Sequence, residues 1–499
     1  MATASTITPP KVQTDLFING RFVKASDGKT APSLNPHDGS TIADVSQAGI
    51  ADVDKAVDAA AAAFPKWSNM AAADRGRLLL KLADLIEERA TELATLESMD
   101  TGHPMRDTTR LDVPRTAACF RYFGGMADKL EGSVIPVDQG FLNYTLRQPV
   151  GVVGQIVPWN FPLMFTSWKM GPALAAGNTV VLKPAALTPL STLRIAELMA
   201  EVGIPEGVVN ILPGPGAAVG NHIAGHPKVA KVSFTGSTEV GRSIIQASAK
   251  NFARVQLELG GKGANIVFGD ANLAAAVNGS AFAIFHNQGQ ACIAGSRLIL
   301  HESIADEFLE KFTKLAQSIK IGNPLDATTE MGPLTSLGHR DKVLGYTQIA
   351  RDQGGKVLIG GKAPDRAELK GGYYVEPTVV EAGPKDRVSC EEVFGPFVVV
   401  TRFKTDEEAI ALANGSEYGL GGGLWTTNLA RAHLMARQMK SGMVWINCYK
   451  RVSPGSPFGG VGASGYGREM GFEAMHHYTE VKSVWVNVDA HLPAWYPRS

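Results

Sequence analysis

The fold class can be predicted from residues 151–184, "GVVGQIVPWNFPLMFTSWKMGPALAAGNTVVLKP". The stretch starts with a short apolar run, continues with a segment of helix length and ends with a second apolar run. The same alternation continues through "VVNIL", "VAKVSF" and "VQLEL". Short apolar strands separated by helix-length segments are typical of a parallel sheet with crossover helices. The sequence therefore predicts a doubly wound α/β unit over residues 151–260, a common scaffold for a nucleotide cofactor.

The chain on either side extends this pattern. After an extended start, "DLFINGRFV", apolar residues recur at helical spacing from Val53 to Phe64 and from Leu78 to Leu93, which predicts two amphipathic helices. A second alternating series begins near residue 261. We therefore expect an α/β fold with two α/β units.

Two segments with strand-like alternation, residues 131–151 and "EVKSVWVNV", fit neither unit. Strands with exposed edges need a partner, and a second subunit can supply one. The sequence therefore predicts a homo-oligomer, and a monomeric mass in solution would contradict this prediction.

The composition indicates a small-molecule partner. The chain of 499 residues carries 48 basic and 48 acidic residues, so no net field attracts nucleic acid or an anionic membrane. Its four cysteines form no CxxC pair, which argues against a disulfide framework or a metal site. The first residues lack the apolar core of a secretory signal, and no run is long enough to span a membrane. We expect free thiols and a cytoplasmic location.

Several residues could carry chemistry, and pattern alone leaves each open. Cys292 in "NQGQACIAGSR" is either inert filler or a nucleophile. Asn160, between aromatic residues and prolines, is either a turn residue or a donor to an oxyanion. Glu258, at the end of an apolar run, is either solvated or a general base.

Two further positions could bind a nucleotide. Gly236 and Ser237 lie where a strand should end and a helix should start, a geometry that either simply caps the helix or receives a pyrophosphate. Lys183 follows an apolar strand, at the sheet edge where α/β proteins bind ligands, and is otherwise a surface lysine.

Taken together, the motifs resemble the aldehyde dehydrogenase superfamily, in the expected order and spacing from about residue 15 to about residue 488. They are "PWNFP", "LKPA", "FTGSTEVGR", "LELGGK", "NQGQAC", "EEVFGP", "INCY" and "SPFGGVGASGYGRE".

The resemblance implies a division into three parts. It implies a Rossmann-like cofactor domain from residues 1–130 and 151–260, and an α/β catalytic domain from residues 261–462. A small β arm for oligomerisation would comprise residues 131–150 and 479–499. Most members of the superfamily are dimers or tetramers.

The resemblance also implies a mechanism in which an aldehyde is oxidised to its carboxylic acid. Cys292 would attack the aldehyde to give a thiohemiacetal and then a thioester, and Asn160 would stabilise the oxyanion. Glu258 would activate the water that hydrolyses the thioester, and Glu469 would help to relay protons. No metal is implied.

The implied cofactor is NAD or NADP. Many NAD-preferring members carry a glutamate where this chain has Ala186, so NADP is also acceptable, although the motif context favours NAD. The positions that match cofactor contacts are Ile156, Trp159, Lys183, Gly216, Phe234, Gly236, Ser237, Leu259, Glu392 and Phe394.

The matching substrate positions form an apolar, aromatic tunnel that predicts a medium-sized aromatic or aliphatic aldehyde. They are Phe161, Met164, Phe165, Trp168, His286, Ala291, Ile293, Lys450, Val452 and Phe458. Lys450 and Arg451 form a basic pair that is either solvated or selects a semialdehyde with a carboxylate.

Two rival functions belong to other classes. A cofactor-free thiol hydrolase or acyltransferase would use Cys292 but would leave Lys183 and Glu392 without a role. A catalytically silent binding protein would have no use for Cys292, Glu258 and Asn160 together.

Overall fold

The computed structural model describes residues 10–489 and residue 496, so most of the predicted C-terminal tail lies outside the described residues. The strands are β1 (Leu16–Ile18), β2 (Arg21–Val23), β3 (Thr30–Leu34), β4 (Thr41–Ser46), β5 (Val134–Ile135), β6 (Phe141–Pro149), β7 (Val152–Ile156), β8 (Thr179–Lys183), β9 (Val209–Ile211), β10 (Val229–Thr235), β11 (Arg254–Glu258), β12 (Ala264–Val267), β13 (Arg297–His301), β14 (Lys356–Ile359), β15 (Thr378–Glu381), β16 (Phe397–Phe403), β17 (Tyr418–Gly419), β18 (Gly421–Trp425), β19 (Met443–Ile446), β20 (Val461–Gly462), β21 (Gly465–Tyr466) and β22 (Thr479–Asn487).

The α-helices are α1 (Ile50–Ser68), α2 (Ala72–Glu88), α3 (Ala90–Thr101), α4 (Met105–Asp107), α5 (Val113–Met126), α6 (Pro162–Ala175), α7 (Leu190–Glu201), α8 (Gly216–Gly225), α9 (Thr238–Ser248), α10 (Leu273–Phe285), α11 (Glu302–Ser318), α12 (Leu337–Asp352), α13 (Arg387–Cys390), α14 (Asp406–Ala413), α15 (Leu429–Gln438) and α16 (Gly471–His477).

An eight-stranded sheet contains the two strands of residues 151–184. Its order is β2-β1-β9-β8-β7-β10-β11-β21, and the five central strands run parallel. The chain builds outward from β7 through β8 to β9, then returns to the other side of β7 as β10 and β11. Such a reversal opens a crevice at the carboxyl ends of β7 and β10. The predicted α/β class with a Rossmann-like unit is confirmed.

A seven-stranded sheet, in the order β14-β15-β16-β13-β12-β18-β19, forms the second α/β unit. Its strands are parallel apart from β14. The loop that carries Cys292 leads into β13, and the loop that carries Glu392 leads into β16. Both loops therefore enter this sheet from the same edge.

The two strand-like segments that fitted neither unit pair with each other. Strand β22 runs antiparallel to β6, from Thr479 opposite Pro149 to Asn487 opposite Phe141, and β5 completes a three-stranded sheet. Trp485 on this sheet is 60% exposed.

The N-terminal part differs from its prediction in two respects. The second predicted helix is broken at Arg89, whose φ of −99° and ψ of 20° end α2, so Leu93 belongs to α3. Strands β3 and β4 form a ribbon that the sequence did not indicate. Among the described residues, none of the helices is both long and apolar enough to cross a membrane.

Candidate active site

A cavity of about 250 Å³ lies at the crevice of the eight-stranded sheet. Trp159 and Asn160 reach it from the loop after β7, and Gly236 and Ser237 reach it from the turn after β10. The cavity is also lined by Pro158, Phe165, Thr235, Leu259, Gly260, Cys292, His339, Lys342, Glu392 and Phe394.

A narrower, apolar cavity of about 40 Å³ continues from the first and holds every predicted substrate-pocket residue. Its lining is Arg115, Phe161, Met164, Phe165, Trp168, Phe282, His286, Ala291, Cys292, Ile293, Lys450, Val452 and Phe458. Sequence reasoning missed Arg115 and Phe282, which lie in segments that matched none of the quoted motifs.

Cys292 lines both cavities, so its sulfur lies at their junction. A Cβ on Gly261 would lie 2.2 Å from the Cys292 carbonyl oxygen, so glycine there lets the two loops approach. Burial raises the pKa of the Cys292 thiol, and the charges of Glu392 and Glu258 raise it further. The resting thiol is therefore protonated, and it needs a base before it can attack.

Asn160 lies beside Cys292 in the same cavity and is 4% exposed. Its side-chain Nδ2 donates to the Gln290 carbonyl oxygen at 2.9 Å. An amide group carries two N–H bonds, so one remains available to a ligand. This geometry suits a donor to an oxyanion.

Glu258 ends β11 and is 1% exposed, so the interpretation as a solvated carboxylate is wrong. Neither of its carboxyl oxygens has a hydrogen-bond partner among the described residues. Burial raises its pKa well above the usual range, and the charge of Glu469 adds to the effect. A buried carboxyl with a raised pKa has the basicity of a general base.

A buried ion pair lies behind Glu258. The Lys169 ammonium on α6 contacts Glu469 Oε1 at 2.5 Å, and both side chains are fully buried. Ser233 on β10 accepts from Lys169 at 2.9 Å and donates to Glu469 at 3.1 Å. The triad joins α6, β10 and the segment after β21.

The predicted cofactor residues form two groups. Ile156, Lys183 and Phe234 are side by side in register at the carboxyl ends of β7, β8 and β10, just outside the first cavity. Gly216, at the start of α8, also lies outside its lining. The remaining predicted residues, Trp159, Gly236, Ser237, Leu259, Glu392 and Phe394, line the cavity.

Lys183 is 3% exposed, so its interpretation as a surface lysine is wrong. Its ammonium donates to the Pro184 carbonyl oxygen at 2.9 Å, and burial lowers its pKa to about 8. Glu392 accepts from the Gly261 N–H at 2.7 Å, and burial raises its pKa to about 7. A cation and an acceptor thus lie in the region of the crevice, where a dinucleotide offers phosphates and hydroxyls.

The turn after β10 has the predicted form. Ser237 is the N-cap of α9 and its side chain accepts from the Val240 N–H at 3.3 Å. The cap uses one of the free N–H groups at the start of α9, and those remaining favour an anion.

His339 and Lys342 are cavity residues that sequence reasoning missed. The His339 ring contacts both Trp159 and Phe394, with centroids 5.1 and 6.1 Å apart. Both residues belong to α12, which lies outside all eight family motifs, so no sequence signal pointed to them.

The basic pair separates in the structure. Arg451 is exposed, but Lys450 is 4% exposed, so the surface interpretation is wrong for Lys450. Among the described residues, the Lys450 ammonium has no hydrogen-bond partner, and burial lowers its pKa to about 7. The Arg115 guanidinium lines the same cavity. Lys450 and Arg115 therefore bring two basic groups to the lining of an apolar tunnel, and the charge of Asp112 acts on Arg115.

His103, Asp107 and His286 lie beside this tunnel with ligand atoms within 4.8 Å of one another. Arg106 pairs with Asp107 at 2.9 Å, and His103 Nδ1 lies 2.7 Å from Asp112 Oδ2. Burial keeps the pKa of His286 well below its usual value, and the charge of Lys450 lowers it further. Two of the three groups are therefore already engaged by neighbouring side chains.

A further cavity, about 970 Å³, is a separate surface cleft lined mainly by residues 316–323 and 359–369. None of the predicted site residues lines it. The reactive groups instead converge on the two smaller cavities.

Comparisons with known proteins cover nearly the whole chain. The model of the aldehyde dehydrogenase family matches residues 22–484. The solved structure of PnpE from Pseudomonas sp. WBC-3 is 69% identical with a TM-score of 0.96, covering 97% of this chain and 100% of that one. A structure of PnpE in complex with nicotinamide adenine dinucleotide is 69% identical with a TM-score of 0.97, covering 97% of this chain and 100% of that one. The human mitochondrial aldehyde dehydrogenase is 47% identical over 481 residues, which are 95% of this chain and 92% of the human protein.

Proposed function

The chain belongs to the aldehyde dehydrogenase family, and we propose that it oxidises an aldehyde to the free carboxylic acid through a thioester on Cys292. It is an NAD(P)-dependent aldehyde dehydrogenase by family. The observation that carries the proposal is the position of Cys292, which lines both the crevice cavity and the apolar tunnel. A substrate in the tunnel would present its carbonyl carbon to this sulfur.

The first step forms a carbon–sulfur bond. The Cys292 thiol gives its proton to a base, and its sulfur attacks the carbonyl carbon to form a thiohemiacetal. Glu258 is the candidate base, because its raised pKa leaves it basic enough and its charge acts on the thiol. The new oxyanion accepts from the free N–H of Asn160 and from the Cys292 backbone N–H.

Collapse of the thiohemiacetal forms the thioester. Bound NAD or NADP supplies the acceptor for the hydride. Glu258 first passes on the proton that it took from the thiol and then takes a proton from water, which attacks the thioester carbon. That second proton returns to the Cys292 sulfur as the carboxylic acid leaves. The Lys169–Glu469 pair lies behind Glu258 and offers a route for the proton to leave.

The residues of the crevice fit a dinucleotide. Lys183 would hold hydroxyls of the adenosine ribose, Glu392 would hold those of the nicotinamide ribose, and Ser237 with Gly236 would lie under the pyrophosphate. Trp159 and Phe394 contact each other at the nicotinamide end, with ring centroids 5.3 Å apart. NAD is the preferred cofactor in this proposal, and the exposed Ala186 leaves room for NADP.

The tunnel favours a semialdehyde that carries a carboxylate over a neutral aromatic or aliphatic aldehyde. Among the described residues the buried Lys450 ammonium has no hydrogen-bond partner, and a buried charge of this kind is costly unless a ligand compensates for it. Arg115 supplies a second cation in the same lining. The apolar rings that line the same cavity would hold the carbon chain of the substrate.

A substrate panel tests the proposal. Purified protein is mixed with NAD or NADP and either succinic semialdehyde or benzaldehyde, and the absorbance of reduced nicotinamide is followed. Turnover by Cys292→Ala would refute the thioester mechanism. Lys450→Met should lower the preference for the semialdehyde by about 10- to 100-fold, the value of one charged hydrogen bond, whereas Lys482→Met on the exposed β22 serves as the control. An unchanged preference in Lys450→Met would refute the proposed substrate class.

The three-part division and the homo-oligomer belong to the same proposal. The eight-stranded sheet supports a cofactor part, the seven-stranded sheet supports a catalytic part, and the sheet of β5, β6 and β22 supports an oligomerisation arm.

A further inference from the structure

A strained turn precedes Cys292. Asn287 and Gln288 have φ angles of 52° and 54°, and Gly289 follows with 71°. Residues with a Cβ rarely adopt this left-handed region, and two in succession cost free energy that the surroundings must offset. Glycine would adopt the same backbone without strain. The side chains at positions 287 and 288 must therefore supply something that glycine lacks.

Both side chains donate to the backbone of other loops. Asn287 Nδ2 donates to the Asn160 carbonyl oxygen at 2.8 Å. Gln288 Nε2 donates to the carbonyl oxygens of Gly102 and Pro333, each at 2.8 Å. Asn287 and Gln288 are 2% and 1% exposed, so these hydrogen bonds are shielded from water.

The loop of Asn160 and the loop of residues 287–290 each donate a side-chain hydrogen bond to the backbone of the other. The Asn287 side chain holds the backbone of Asn160, while the Asn160 side chain holds the backbone of Gln290. Asn160 follows a strand of the eight-stranded sheet, whereas Gln290 precedes a strand of the seven-stranded sheet. The two donors proposed for the oxyanion, on Asn160 and Cys292, are thus fixed relative to each other across the two sheets.

We infer that Asn287 and Gln288 are positioning residues that hold the oxyanion-binding donors in place. The inference rests on the proposed function, since it needs Cys292 to form an oxyanion intermediate. Neither residue is among those that line the two cavities, so the side chains would act through Asn160 and the backbone before Cys292. If these donors move by about 1 Å, they stabilise the transition state less, and the rate falls by about 100-fold.

The test is Asn287→Gly, which keeps the left-handed backbone and removes the donor. The value of kcat for benzaldehyde should fall by at least about tenfold. The Kd for NAD and the rate at which iodoacetamide labels Cys292 should stay within about threefold of wild type. The matched control is Asn447→Gly, because Asn447 has a φ of 53° and its side chain also donates to a backbone carbonyl, that of Thr426 at 2.9 Å.

Three results would overturn the inference. One is a loss of kcat no larger than that of Asn447→Gly. Another is a fall in labelling as large as the fall in kcat, because the turn would then present the thiol rather than the oxyanion donors. If Asn287→Gly does not fold, Gln288→Gly replaces it, and the same changes are expected. Unchanged turnover by Gln288→Gly is the third result that would overturn the inference. Failure of the proposed function itself would appear separately, as turnover by Cys292→Ala.

Discussion

At the scale of single residues, Lys450 is the group of the substrate tunnel whose pKa lies close to neutral pH. Burial lowers its pKa to about 7, so the ammonium is charged below that pH and neutral above it. A substrate carboxylate needs the charged form. We expect kcat/KM for succinic semialdehyde, relative to benzaldehyde, to fall by roughly tenfold between about pH 6 and about pH 8. Lys450→Met should make the ratio independent of pH, and a ratio that rises with pH would contradict the prediction.

Ala186 gives a second prediction at this scale. Ala186→Glu would place a carboxylate three residues after Lys183, where it accepts from ribose hydroxyls and repels a 2′-phosphate. The ratio of kcat/KM with NAD to that with NADP should rise by about tenfold or more. Steady-state assays with both cofactors measure it, and Ala186→Gln controls for size without charge. Equal ratios for the two variants would show that charge at this position does not select the cofactor.

The residues of the candidate site could largely be picked out from short motifs, whereas their environments could not. The motif "NQGQAC" marks Cys292, but the left-handed turn before it depends on carbonyl groups from residues far away in the chain. The burial of Lys450 could not be predicted from the sequence either, because the rings that cover it come from separate segments of the chain. Arg115 and Lys342 likewise approach the cavities only through tertiary packing.

At the scale of elements, the pair between Lys169 and Glu469 joins α6 to the segment after β21. Removing one partner leaves a buried charge, which costs about 3–5 kcal/mol. We expect Lys169→Met to lower the free energy of unfolding by that amount in denaturant titrations. The double variant Lys169→Met/Glu469→Leu should recover most of the loss. A double variant as unstable as Lys169→Met would mean that the pair is not the source of the effect.

Local pattern predicted the central strands of the eight-stranded sheet well, because each is apolar and ends at a turn residue. The bounds of α2 and α3 were harder to predict, because the apolar spacing continues across Arg89 although the backbone of Arg89 is not helical. The ribbon of β3 and β4 has no strong apolar alternation and was missed. The pairing of β6 with β22 spans more than 300 residues and cannot be derived from either segment alone.

At the scale of the whole molecule, the sheet of β5, β6 and β22 carries exposed apolar side chains. Trp485 and Phe141 are 60% and 41% exposed and contact each other, with ring centroids 6.3 Å apart. We expect Trp485→Lys to lower the mass in light scattering, because a charge there would oppose burial against a second subunit. Lys482→Ser on the same strand is the control. A monomeric wild type would refute the oligomer, and an unchanged mass in Trp485→Lys would exclude this face as the contact.

The distance along the chain between Lys169 and Glu469 has a consequence for biosynthesis. Translation proceeds at roughly 5–20 residues per second, so the 300 residues between the partners take about 15 to 60 s to emerge. During that interval the nascent chain holds an ammonium group whose counter-ion does not yet exist. The first sheet also lacks its edge strand β21 until residues 465–466 have emerged. The candidate active site, which has Glu469 beside Glu258, is therefore assembled only after the parallel strands of that sheet have been made.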